Sequence, residues 1–299
     1  MSRGKGHSAV HAAAYRSGEK LSCERSGKTY DYTRKGHVGE CFIMTPTVAP
    51  EWASVRQEAW NEVERVEKRK DARLAREIEV ALPRELDAES CVALLREFAQ
   101  RHFVDKGMIA DICIHRPPTM DGSGENPHAH IMLTTRAITK DGFGAKVAAW
   151  NKVELLEEWR KEWMRAANAA LERRGVDERI DHRTLVEQRA EAIEQGDHAK
   201  AASLTREPVP HLGIAARVKE LTGRVKERFN SWVAVKHRNR LLPQLEAMKG
   251  RDMTAFVRQA AMLIDDKAFE LGLHLRPPEP RLAAEHHGRM QERDIDLER

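Results

Sequence analysis

Two short alternating segments flank a turn-rich stretch, and this pattern restricts the fold more than any other. In residues 108–115, MIADICIH, Ala110, Ile112 and Ile114 share one face while Asp111, Cys113 and His115 share the other. In residues 128–134, HAHIMLT, Ala129, Ile131 and Leu133 oppose His128, His130 and Met132. Between them lies RPPTMDGSGENP, made of residues that favour turns. Two strands joined in this way predict an antiparallel hairpin. Glu77–Leu82 alternates as well, with Ile78, Val80 and Leu82 on one side, and Pro83 closes it. Glu40–Met44 is a further short strand, stopping before Pro46.

Helices are predicted around these strands. Ser8 caps a helix through Val10, Ala14 and Tyr15 that Gly18 ends, and residues 20–37 read as a loop or short hairpin. Apolar residues recur at steps of three and four from Glu51 to Lys70, and again from Asp87, a capping residue, to Phe103. A long helix covers 150–174, with Trp159 and Trp163 one turn apart. Beyond about residue 188 only helices are expected, at 189–203, 214–230, 234–249 and 252–272. The fold class is therefore α+β: an antiparallel sheet with flanking helices, followed by a helical C-terminal extension. The expected division is a first domain over 1–200, a basic helical extension over 201–275 and a disordered tail over 276–299.

Composition removes several classes. No run of eighteen apolar residues exists to span a membrane, and the start, MSRGKGHSAV, lacks the apolar core of a secretory signal. Cys23, Cys41, Cys91 and Cys113 are far apart in sequence and form no CxxC pair, which predicts reduced thiols and a cytoplasmic location. The net charge of +4 has a pattern: +4 over residues 1–50, −4 over 51–200 and +4 over 201–299. Basic ends attract polyanions through counterion release, and residues 201–250, with ten Lys/Arg against four Asp/Glu, are the densest positive stretch in the chain.

The chemistry concentrates on histidine. Residues two apart on a strand point the same way, so His128 and His130 project together. If the strand ending at His115 pairs beside them, three neutral imidazoles converge into a divalent-metal site with open positions. Imidazoles favour zinc or another first-row metal, whereas a phosphate substrate would draw Mg²⁺ or Mn²⁺. Glu77 and Glu79 share a face of the neighbouring alternating segment. If that face adjoins the histidines, one carboxylate accepts a hydrogen bond from a ligating imidazole. Only three tyrosines occur, Tyr15, Tyr30 and Tyr32. A phenol is a poor nucleophile until a metal and a base assist it.

Four motifs then occur in order: SAVHAAAYRSGEKL, AREIEVALPREL, IHRPPTMDGSGENPHAHIMLTTR and RIDHRTL, followed by PHLG at 210–213. Together they resemble the MobA/MobL family of plasmid mobilisation relaxases, of the HUH endonuclease type and the MobQ class. The resemblance covers roughly residues 1–215. It implies a relaxase palm and an enzyme that nicks one strand at a plasmid origin of transfer, forming a 5′-phosphotyrosine adduct and later rejoining the ends. By motif match Tyr15 is the nucleophile, His115, His128 and His130 hold the metal, and Glu77 is the supporting carboxylate. The implied partners are single-stranded origin DNA, accessory mobilisation proteins and a type IV secretion coupling protein. Relatives usually begin with a strand of the type YHFSVK. Met1 stands where that strand would end, so the sheet is expected to lack an edge or central strand. No GxxxxGK[ST] loop is present, so unwinding must come from elsewhere. Two other readings stand beside this one: a zinc hydrolase that uses the histidines to activate water, and a non-catalytic DNA-binding replication or mobilisation protein.

Overall fold

The computed structural model describes residues 1–119, 124–206, 235, 236 and 239. Helix α1, Ala9–Ser17, begins at Ser8, whose hydroxyl accepts from the His11 N–H, and ends at Gly18 in the left-handed region. The segment after it is a small hairpin of β1, Lys20–Cys23, and β2, Lys28–Asp31. Strand β3, Val38–Met44, follows. The periodic stretch from Glu51 divides in two. A 3₁₀ turn at Glu51–Ser54 precedes α2, Arg56–Val66, because Val55 between them is extended. Trp52 on the 3₁₀ turn packs edge-on against Phe143, 5.7 Å away, and joins a cluster separate from that of Trp60 and Val63 on α2. Tertiary packing thus overrides a helical period.

Strand β4, Arg76–Ala81, leads to α3, Ala88–His102, which Asp87 caps as expected. Strands β5, Ala110–His115, and β6, His128–Leu133, form the predicted hairpin. The second hairpin, β7, Arg136–Thr139, and β8, Gly142–Lys146, was not foreseen. Its signal was the Asp141-Gly142 turn, where Gly142 takes a φ of 107°. Helix α4, Val153–Arg173, matches expectation.

The main sheet has the order β3-β5-β6-β4 and every pair is antiparallel. Ala110, Ile112, Ile114, Ala129, Ile131 and Leu133 face the larger core, where they meet α3 and Trp159 and Trp163 of α4. The opposite face is covered too. Met132 packs with Ala9, Val10 and Ala13 of α1, so all of β5 is buried. Met1 and Ser2 pair with residues 73–75 ahead of β4, the Met1 amino group donating to the Ala75 carbonyl at 2.7 Å. β4 is an edge strand, and a groove of about 540 Å³ lined by Glu79, Trp159 and Trp163 runs beside it. All four cysteines are free, yet Cys41 and Cys113 stand directly opposite each other across β3 and β5.

Residues 1–182 form one compact unit and a second begins at Arg183. The second opens with a capping box, Thr184 with Glu187, on α5, Leu185–Glu194. Gly196, with φ 72°, separates it from α6, His198–Ser203, so the single helix expected over 189–203 is two. The helices expected at 214–230, 234–249 and 252–272, and the tail, lie outside the described residues. Among the described residues no helix is long and apolar enough to cross a membrane.

Candidate metal centre and nucleophile

The β5–β6 register sets His115 opposite His128 and Cys113 opposite His130. On the other side of β6, Ala81, Glu79 and Glu77 of β4 stand opposite His128, His130 and Met132. The pleat puts all of these side chains on the face that α1 covers. The three imidazole centroids are 4.7, 5.1 and 5.5 Å apart. One nitrogen from each lies within 4.8 Å of the other two.

The hydrogen bonds of the rings fix their tautomers. His115 Nε2 is 2.7 Å from the Arg16 carbonyl oxygen, and His128 Nδ1 is 2.8 Å from the Asn126 carbonyl oxygen. His130 Nδ1 is 3.1 Å from Glu77 Oε1. Carbonyl and carboxylate oxygens only accept, so these three nitrogens carry the protons. A lone pair remains on His115 Nδ1, His128 Nε2 and His130 Nε2. Burial pushes the His115 imidazole down to about 4, which keeps it neutral near pH 7. Ligand nitrogens around one tetrahedral ion stand about 3.4 Å apart. One nitrogen of each ring lies within 4.8 Å of the others, and three neutral imidazoles are a donor set that fits a divalent metal with open positions.

Of the two carboxylates on β4, Glu77 is the one that meets the histidines closely. Glu79 is directly opposite His130, but its carboxylate is 3.8 Å from Nδ1 and its side chain is 61% exposed. Glu77 reaches diagonally across the sheet and also receives the Arg16 guanidinium on both oxygens. Burial pushes the Glu77 carboxyl up, but the hydrogen bonds from His130 and Arg16 and the charge of Arg16 outweigh it and hold the group down at about 2.

Arg16, which the sequence reading passed over, therefore touches the site twice. Its carbonyl orients His115 and its side chain clamps the partner of His130. Its one sequence signal is its place after Tyr15. The Tyr15 ring packs edge-on against Tyr32, at 5.1 Å between centroids, and under the Lys35 ammonium. Tyr15 is joined to the histidines through its chain neighbour. The Tyr32 hydroxyl and His11 Nε2 share a hydrogen bond at 2.6 Å, and Tyr30 stacks on His11 at 4.5 Å.

Fold and site together define an α+β protein with a histidine tripod that meets α1 at Arg16, the residue after a helix-borne tyrosine. The profile of the MobA/MobL family matches residues 7–218, and the chain belongs to that family. It is similar to the conjugal transfer protein TraA of Agrobacterium fabrum, 37% identical over 250 residues that cover 73% of this chain and 21% of the relative. It is also similar to the mobilization protein MobL of Acidithiobacillus ferridurans, 36% identical over 258 residues covering 76% of this chain and 64% of that one. The chain thus spans about a fifth of the length of TraA, by the 21% coverage. Among solved structures it resembles one described under the molecular basis of vancomycin resistance transfer in Staphylococcus aureus. That match has a TM-score of 0.56 at 32% identity and covers 61% of this chain and 94% of the other.

Proposed function

We propose that this chain is a mobilisation relaxase that nicks one strand of plasmid origin-of-transfer DNA through Tyr15. The observation that carries the reading is the double contact of Arg16, which ties the residue after Tyr15 to His115 and to the partner of His130. The names of the relatives, conjugal transfer and mobilization proteins, support the biological setting.

His115, His128 and His130 hold a divalent metal, with Mg²⁺ or Mn²⁺ favoured by the phosphate substrate. When bound, the metal supplies charge that polarises the scissile phosphate. Glu77 keeps His130 in one tautomer and one orientation. Arg16 does the same for His115 and fixes the end of α1. The Tyr15 oxygen attacks phosphorus, the bond to the 3′ oxygen breaks, and that oxygen takes up a proton. The products are a 5′-phosphotyrosine link and a free 3′ hydroxyl. The ester link keeps the bond energy, so the same residues rejoin the ends in reverse. Single-stranded origin DNA is the partner of this site; accessory mobilisation proteins and a secretion coupling protein join it in the cytoplasm.

A labelled single-stranded origin fragment, incubated with the protein and Mn²⁺, should yield a covalent adduct that survives denaturing gel electrophoresis. Tyr15→Phe keeps the ring and removes the attacking oxygen, so it should bind the fragment and form no adduct. Metal-dependent cleavage by that variant without any adduct would point to a hydrolase that activates water.

A further inference from the structure

One cation beside Tyr15 has no role in the scheme above. Lys35 lies in the turn between β2 and β3, and its backbone N–H donates to the Tyr32 carbonyl oxygen at 2.8 Å. The Lys35 ammonium donates to the Tyr15 carbonyl oxygen at 2.6 Å and sits 3.9 Å from the centroid of the Tyr15 ring. The side chain is half-buried, and among the described residues no carboxylate forms an ion pair with it. The charged and titratable groups around it are Arg16 on α1, Cys41 on β3, and Cys113 and His115 on β5. Burial first, and the charge of Arg16 second, lower Lys35 to about 8. A half-buried ammonium without a counterion costs stability, and such groups mark functional sites.

We propose that Lys35 is a positioning residue for Tyr15: it fixes the ring at the end of α1 and supplies the positive charge against which the phenolate forms. This rests on Tyr15 being the nucleophile. A cation over an aromatic face is attracted by the ring quadrupole. Loss of the phenol proton spreads negative charge into the ring, so Lys35 attracts the phenolate more strongly than the phenol. An interaction that grows along the reaction accelerates it. Lys35 itself forms no bond; the phenol proton passes to water.

The rival is a plain helix-end contact, with Lys35 serving the Tyr15 carbonyl alone. Lys35→Gln keeps a donor for that carbonyl and removes the charge, while Lys35→Arg keeps both. Adduct formation by the full chain with Mn²⁺ should be measured from pH 6 to 10. Lys35→Gln should form adduct roughly 5–30-fold more slowly near neutrality, the range of a partly desolvated cation–π contact. The deficit should shrink above about pH 8, where Lys35 in the unaltered protein loses its own proton. Lys35→Arg should keep most of the rate. Affinity for the DNA fragment should change little in either variant. A deficit constant with pH, equal behaviour of the two variants, or failure of both to fold would overturn the inference. Tyr15→Phe run alongside separates the two failures. Adducts from that variant would sink the nucleophile reading, and Lys35 with it. An inert Tyr15→Phe with an unchanged Lys35→Gln profile would sink Lys35 alone.

Discussion

The candidate site depends on which imidazole nitrogen is left free, and that is decided by three oxygens that are not themselves ligands. Arg16 and Asn126 supply carbonyls and Glu77 a carboxylate. Removing a ligand and removing an orienting group should therefore differ in degree. His130→Ala and His128→Ala should each abolish measurable metal binding in calorimetric titration, since two imidazoles hold an ion weakly. Glu77→Gln keeps an oxygen that accepts from His130 but loses the charge, so affinity should fall by ~10–100-fold. Unchanged affinity in both histidine variants would remove the cluster from the mechanism. Full affinity in Glu77→Gln would leave that carboxylate as no more than a partner for Arg16.

Strand β5, which carries His115, is held by α2 on the face that α1 covers. Asp111, 2% exposed, accepts from Arg56 Nε at 3.0 Å, from the second Arg56 nitrogen at 2.9 Å and from Trp60 Nε1 at 2.8 Å. Glu19 takes the remaining end of the Arg56 guanidinium. Asp111→Ala strands a guanidinium with 11% side-chain exposure and should cost about 3–5 kcal/mol in urea unfolding. Asp111→Asn keeps an acceptor and should lose less; a cost below about 1 kcal/mol for Ala would mean that α2 is held by apolar contacts alone. The alternation of β5 and β6 was legible because period two reports directly which residues share a face, and the two i, i+2 histidines follow from it. What lay on the other side of that face was not legible. Asp111 shares a face with His115 in the sequence pattern, but nothing in that pattern gives its partner, Trp60, fifty-one residues earlier. Arg16 reaches Glu77 across sixty-one residues, and its carbonyl meets His115 across ninety-nine. Contacts of that span leave no periodic trace, so Arg16 has no signal in the sequence pattern, whereas Glu77 was named through its motif and the face it shares on its strand. The β7–β8 hairpin was missed for a different reason: strands of four and five residues are too short for alternation to stand out.

At the scale of the whole molecule, the buried ionisable groups set how stability follows pH. His115 titrates near 4 in the folded chain against an ordinary value of 6.5. The unfolded chain therefore binds more protons between those values, and the contribution present above 6.5 is lost as pH falls towards 4. His11 and His102 are lowered in the same direction, burial being the first cause in each. Glu77, near 2 when folded against 4.5, extends the loss below pH 4.5. Burial raises the Cys91 thiol, whose contribution is present below its ordinary value of 9.0 and fades above it. Lys35, near 8 when folded against 10.5, acts in the opposite sense: the unfolded chain binds more protons between those values, so its contribution grows as pH rises through them. Metal-free protein, kept so by chelator, should lose roughly 2 kcal/mol from His115 alone between pH 7 and pH 4.5, read as a falling urea midpoint. Saturating Mn²⁺ should raise the midpoint at pH 7 and have little effect at pH 4.5, because protons and metal compete for the same lone pairs. A flat profile from pH 7 to 4.5 in chelator would contradict the neutral burial of His115. A Mn²⁺ effect of equal size at both pH values would mean that the metal binds somewhere other than the imidazoles.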